Sequence, residues 1–399
     1  MFELRKINMK AAFACSVLLI SLSFSASHAD NVPRPDKPGA TVIVDSNGGD
    51  NSKHPQSPRE NNIAEPARPS VDMNDAKRQF HRGLMSKNGY GVPIDPAKAR
   101  EWFEKAAKQN YKPARYQLAL MQFSGTGGNE DKPAALEQFK KLAAENYSPA
   151  QYTLGYLNLK GDGVPENPGE ARFWFEKAAK QNDMRATASL AYLYLKGIGA
   201  PINEKKAAVL FEKAANMGDA YSQDQFGMML SQGIGLKPEP EIAYLWIEKA
   251  ASQEYAVAEY HMAMMYLSGY GTAKNPEEAV KWLEKAASHG SVEAQNFYAS
   301  LLYIGYGIKQ DIPKAIEYFT LAANNGHAES QYLLGTIYVK GNGVLPNLKT
   351  ARDWFLKAEK NGHPDALSAL EKLDEMEAAK QVAPSLPSGK EEETGQGQS

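Results

Sequence analysis

Between Arg78 and about Asp365, apolar and polar positions recur every 36 residues without an insertion or deletion. The eight copies align on a Gly-x-Gly turn, first at Gly89-Tyr90-Gly91 and last at Gly341-Asn342-Gly343. Four residues before each turn stand only Met85, Met121, Leu157, Leu193, Met229, Met265, Leu301 and Ile337. Three residues earlier again, Leu118, Leu154, Leu190, Phe226, Met262, Tyr298 and Leu334 complete one helical face. Only glycine or alanine stands six residues before the turn, from Gly83 to Gly335, so another helix can approach closely there. This pattern predicts a helix A of about 11 residues ending at each glycine turn.

A second helix follows. Six residues after the first glycine come Asp95, Asp131, Asn167, Asn203, Glu239, Asn275, Asp311 and Asn347. Asp and Asn there read as N-caps, whose side-chain oxygen accepts from the free N–H groups of the first turn. Proline follows directly at Pro96, Pro168, Pro240 and Pro276, where a missing N–H costs nothing. Ten residues after the glycine an alanine never varies, from Ala99 to Ala351. Three further on stand Trp102, Gln138, Trp174, Leu210, Trp246, Trp282, Tyr318 and Trp354, and then an apolar residue every time. All five tryptophans share one phase, which reads as core. A fixed period of this length marks a solenoid whose units bury their apolar faces only against neighbours.

The consensus Ala-x-x-x-Leu-Gly-x-x-Tyr-x-x-Gly-x-Gly-Val, then Asp/Asn-x-x-x-Ala-x-x-Trp-Phe-x-Lys-Ala-Ala, resembles the Sel1-like repeat. Ala150 to Ala179 carries it nearly whole, through Gln151, Leu154, Gly155, Gly161, Gly163, Val164, Ala171, Trp174, Phe175, Lys177 and Ala178. The related tetratricopeptide repeat has a shorter period and lacks the glycine-rich loop. The resemblance implies an all-α fold, a right-handed α/α superhelical solenoid of eight helix-turn-helix repeats. It also implies an adaptor rather than a catalyst. Arg78 and Arg82 replace apolar phases in the first helix A, as an outward-facing cap would. Ala366, Leu370 and Leu373 extend the pattern, but Glu371 falls where Gly or Ala is required, so a closing helix is expected to about Ala379.

Flanking segments read differently. Residues 1–29 have the make-up of a secretory signal peptide: Arg5, Lys6 and Lys10, an apolar run from Ala11 to Leu22, and a small-x-small site at Ser27-His28-Ala29. A periplasmic or secreted location is expected, with no membrane span once the signal is cut. Residues 30–72 form a Pro/Asn/Ser-rich spacer and 380–399 a polar tail, both too poor in large apolar side chains to fold. The repeat domain is bounded at 73–379. Cys15, the only cysteine, lies inside the apolar run, so the mature chain has no thiol chemistry. Some secreted relatives staple their repeats with paired cysteines, and a few are linked to β-lactam binding. This chain departs from that pattern.

Composition excludes several classes. A formal net charge of −2 offers no field for nucleic acid or an anionic membrane. Charge is uneven, however: residues 78–113 hold eight Lys/Arg against three Asp/Glu, and 222–257 two against five. Neither His-Glu-x-x-His, Ser-x-x-Lys nor Gly-x-Ser-x-Gly occurs. His289, His327 and His363 fall in turns between repeats and read as solvated. No metal or cofactor is expected.

A partner surface is sought where the phases drift. Eight residues before the turn the chain reads Gln117, Thr153, His261 and Phe297 in four of the copies. Five before it reads Tyr156, Tyr192, Met228 and Met264 in four successive copies. Positions that wander from polar to apolar are expected to be exposed on helix A. Together they make a candidate strip for a protein or peptide partner, rich in aromatic and thioether groups. The expected function is a non-enzymatic adaptor exported to the bacterial envelope, acting in envelope regulation or on a host. Two alternatives stay open: an enzyme or binding protein acting on peptidoglycan or β-lactams, and a homo-oligomer joined end to end.

Overall fold

The computed structural model describes residues 76–382, and the regular structure in that span is seventeen α-helices. The expected signal (1–29), the spacer (30–72) and the tail from residue 383 lie outside the described residues. The helices group into two compact units, one ending at Pro238 and the other beginning at Glu239. The first contains α1 (Ala76–Asn88), α2 (Pro96–Lys108), α3 (Lys112–Ser124), α4 (Lys132–Ala144), α5 (Ser148–Lys160), α6 (Pro168–Lys180), α7 (Met184–Lys196), α8 (Glu204–Asn216) and α9 (Ala220–Gln232). The second contains α10 (Pro240–Ala251), α11 (Ala256–Ser268), α12 (Pro276–Ser288), α13 (Val292–Ile304), α14 (Ile312–Asn324), α15 (Ala328–Lys340), α16 (Leu348–Lys360) and α17 (Ala366–Val382). Odd-numbered helices to α15 are helix A of successive repeats, and even-numbered ones are helix B. Within each unit every helix packs on the one before and the one after it.

Helix B begins where its cap places it. The side chains of Asp95, Asp131, Asn167 and Asn203 accept from the N–H three residues on, at 2.9–3.1 Å. Asn275, Asp311 and Asn347 do the same. Glu239, one methylene longer, makes no such bond. Helix A runs 13 residues rather than the expected 11, for instance in α3 and α5. Its start carries no local signal there, because the N-cap residues Tyr111 and Tyr147 form no side-chain cap.

Packing within a repeat turns on one ring. The invariant alanine of helix B is fully buried in every copy, and so are Phe103, Phe139, Phe175 and Phe211. A Cβ placed on Gly83, Gly155 or Gly335 would sit within 2.6 Å of the ring of Phe103, Phe175 or Phe355. The small phase of helix A is therefore the socket for the aromatic of helix B.

The second glycine of the turn serves the joint between repeats. At Gly127 and Gly199 a Cβ would lie 2.3 Å from the carbonyl oxygen of Pro96 and Pro168, at the start of the preceding helix B. Gly271 meets Pro240 in the same way at 2.2 Å. These residues also hold φ between +66° and +72°, so both backbone shape and space call for glycine.

The ends differ from the middle. Met85 is 39% exposed in the first described helix, whereas Met121 at the same phase is 2% exposed. At the other end α17 closes the second unit. Its Leu370 and Leu373 bury against Ala351 and Phe355, while Arg352 pairs with Asp374 and Glu377.

Candidate functional site

The helix-A phases expected to be exposed are mostly buried. In the first unit Gln117, Thr153 and Tyr192 are buried, and Tyr156 and Met228 half-buried. In the second unit His261, Met264 and Phe297 are buried. This corrects the expected exposure of six of the eight candidates. At Gln117 and Thr153 the physical reason is pairing between neighbouring A helices, which satisfies the polar side chain. Lys87 Nζ donates to Gln117 Oε1 at 2.9 Å, and burial lowers the pKa of that lysine. Thr153 donates to the Pro149 carbonyl at 2.9 Å and shares a hydrogen bond with the Tyr116 hydroxyl at 2.8 Å. Burial raises the pKa of Tyr116, so its phenol stays neutral. Such pairs let the phase drift in polarity while remaining inside. Tyr156 packs on the core of α3 to α5 and keeps one edge open.

A polar rung recurs one step away. Gln151, in the first turn of α5, donates to the Ala143 carbonyl at the end of α4 and accepts from Gln181 Nε2 at 2.7 Å, 30 residues later. Gln79 and Gln109 repeat the side-chain bond, as do Gln331 and Asn361 in the second unit. Two copies replace the amides with ionisable side chains: Arg115 pairs with Glu145 at 2.8 Å, and Glu259 with His289 at 2.8 Å. Arg115 holds the Glu145 carboxyl below its usual pKa.

Histidines that read as solvated prove structural. His327 caps α15, its Nδ1 accepting from the Ser330 N–H at 3.2 Å, and burial lowers its pKa. His363 stacks on Tyr332 with centroids 4.1 Å apart and pairs with Glu329 at 2.9 Å. Among the described residues no group of three or more His, Cys, Asp or Glu side chains stands ready to hold a metal ion. No described helix is long and apolar enough to cross a membrane.

The tryptophan phase, expected as core, is a half-buried seal over that core. Each ring lies beneath the lysine three residues on. Lys105 sits 4.4 Å from the Trp102 centroid and Lys177 5.0 Å from Trp174. The same pairing gives 4.1, 4.3 and 3.9 Å for Trp246, Trp282 and Trp354. An ammonium over the indole face is attractive and leaves the lysine head wet. Sequence reasoning missed this lid, although its signal was present as a lysine at a constant spacing from every tryptophan.

Comparison with known proteins follows the same register. A family model described as Sel1 repeat matches eight successive segments: 79–111, 112–147, 148–183, 185–219, 220–255, 256–291, 292–327 and 328–363. Among curated proteins nothing matches. A Sel1 repeat protein from Oxalobacter formigenes is similar at 29% identity and a TM-score of 0.61, over 76% of this chain and 88% of that one. A protective antigen of uropathogenic Escherichia coli strains, displaying an SLR fold, is similar at 29% identity and a TM-score of 0.60, over 77% of this chain. The alignment spans 66% of the length of that antigen.

Proposed function

Because this chain belongs to the Sel1 repeat family, we propose that it is a non-enzymatic scaffold that holds a protein or peptide partner against helix A. We place it in the bacterial envelope or beyond, following export. What carries the reading is how the recurring residues are used. Caps, turn glycines, socket and ring all go into packing, and that leaves the varying side chains of the helix surfaces to meet a partner. Tyr156 and Met228 are the candidates of the helix-A strip that keep partial exposure, and both suit an apolar contact. The basic n-region, apolar run and small-x-small site at Ser27-His28-Ala29 support export.

The test uses the full chain in its own cells, with a photo-crosslinking amino acid at position 156, 228 or 209. Val209 is 64% exposed on helix B and serves as the off-face control. Adducts from 156 or 228 that are absent from 209 are the expected result. Labelling only from 209 would overturn the helix-A assignment. The recovered protein should begin at Asp30 and fractionate with the envelope or the medium.

A further inference from the structure

The second repeat lacks its seal. Where Trp174 covers the third repeat, the second has Gln138, and beside it lies an open cavity of about 500 Å³. The register identifies what belongs there. Trp174 packs on the cluster that includes Ala143 and Leu154. Their counterparts 36 residues earlier are Ala107 and Leu118, and both line the cavity with Ala134 and Gln138. The cavity is thus the seat a tryptophan of this repeat would occupy.

One further feature fits an indole. Lys141 stands three residues after Gln138, the spacing at which a lysine covers each of the five tryptophans. Lys108 and Arg115 stand at the cavity, with Glu104 the one acid lining it. Arg115 is already engaged by Glu145 at 2.8 Å.

We propose that this seat between the first two repeats takes the indole ring of a tryptophan carried by a partner chain. The proposal rests on the protein-binding reading above, but it names a different surface and can fail separately. The partner's ring would replace the missing seal, with one face against Ala107 and Leu118 and Lys141 closing over the outer face.

N-acetyl-tryptophanamide is the probe, with N-acetyl-leucinamide as control, read by saturation-transfer NMR on the full chain. Transfer to the indole protons and none to the leucine probe is expected. Gln138→Trp restores the consensus of the repeat and fills the seat, so it should abolish transfer while raising the melting temperature. No transfer in the wild type, or equal transfer in Gln138→Trp, would overturn the seat. If transfer is seen but position 156 or 228 captures nothing, the seat stands and the helix-A assignment falls. With capture at those positions and no transfer, the helix-A assignment stands and the seat falls.

Discussion

The second and third repeats are built to one plan and differ at the ridge outside the socket. Their four helices are each 13 residues long, and both end helix B on an asparagine joint. Phe139 and Phe175 are fully buried alike, one facing Ala119 and the other Gly155. The next position outward is Gln138 in one and Trp174 in the other, and the former borders an open cavity. The pair separates two kinds of recurrent residue. The aromatic inside the socket is required by the fold, while the tryptophan outside it seals a surface that can be left open.

That separation sets the largest expected effect. Phe139→Ala and Phe175→Ala should each cost about 3–5 kcal/mol, because a large void opens among fully buried neighbours. Trp174→Ala should cost roughly 1–2 kcal/mol, since the ring is only partly buried and lies beneath Lys177. Denaturant melts of the three variants test the ranking. A loss at Trp174 as large as at Phe175 would break the distinction and make the seal part of the core.

The turns of the same two repeats sharpen it. Gly127 and Gly163 both hold φ +71°, so an alanine at either bears the left-handed cost of about 1–2 kcal/mol. Their surroundings differ. A Cβ at Gly127 meets the Pro96 carbonyl at 2.3 Å, whereas at Gly163 it meets the Phe123 ring at 3.1 Å and a Leu136 methyl at 3.5 Å. Backbone cannot yield as side chains can, so Gly127→Ala should cost about 1–3 kcal/mol more than Gly163→Ala. Equal losses in thermal melts would show that torsion alone, rather than contact between repeats, selects the second glycine.

The same contrast explains what could be read from the chain. Turn glycines, caps and the invariant alanine were legible because their physics is local: a positive φ, a free N–H, a close approach. The helix-A strip was misjudged because its burial comes from partners near one full period away, as between Thr153 and Tyr116 or Lys87 and Gln117. Drift in polarity signals exposure only when no neighbour follows the change, and here neighbours do. His363 and His289 misled for the same reason, their partners Glu329 and Glu259 lying 34 and 30 residues back. The seat beside Gln138 was half visible as a break in the tryptophan phase. Its lining by Ala107, Leu118 and Ala134 required the structure.

The smallest effect lies at the joint after helix B. Repeats two and three place Asn146 and Asn182 there at φ +61° and +60°, a left-handed conformation that asparagine tolerates better than most residues. After α10 the same joint falls on Glu254, also at φ +60°, with neither glycine's freedom nor asparagine's short amide. At the equivalent Gly290, Gly326 and Gly362 a Cβ would meet nothing within 4 Å, so a side chain is not crowded at this kind of joint. The cost at Glu254 is therefore torsional, about 1–2 kcal/mol for a residue with a Cβ. Glycine would remove it but lose roughly 0.5–1 kcal/mol to the greater freedom of the unfolded chain. Glu254→Gly should consequently gain about 0.5–1 kcal/mol net, and Glu254→Asn somewhat less. Because repeats open locally, hydrogen exchange in α10 and α11 is the measurement, with slower exchange in both variants expected. Faster exchange would mean that the Glu254 side chain contributes more than its backbone costs.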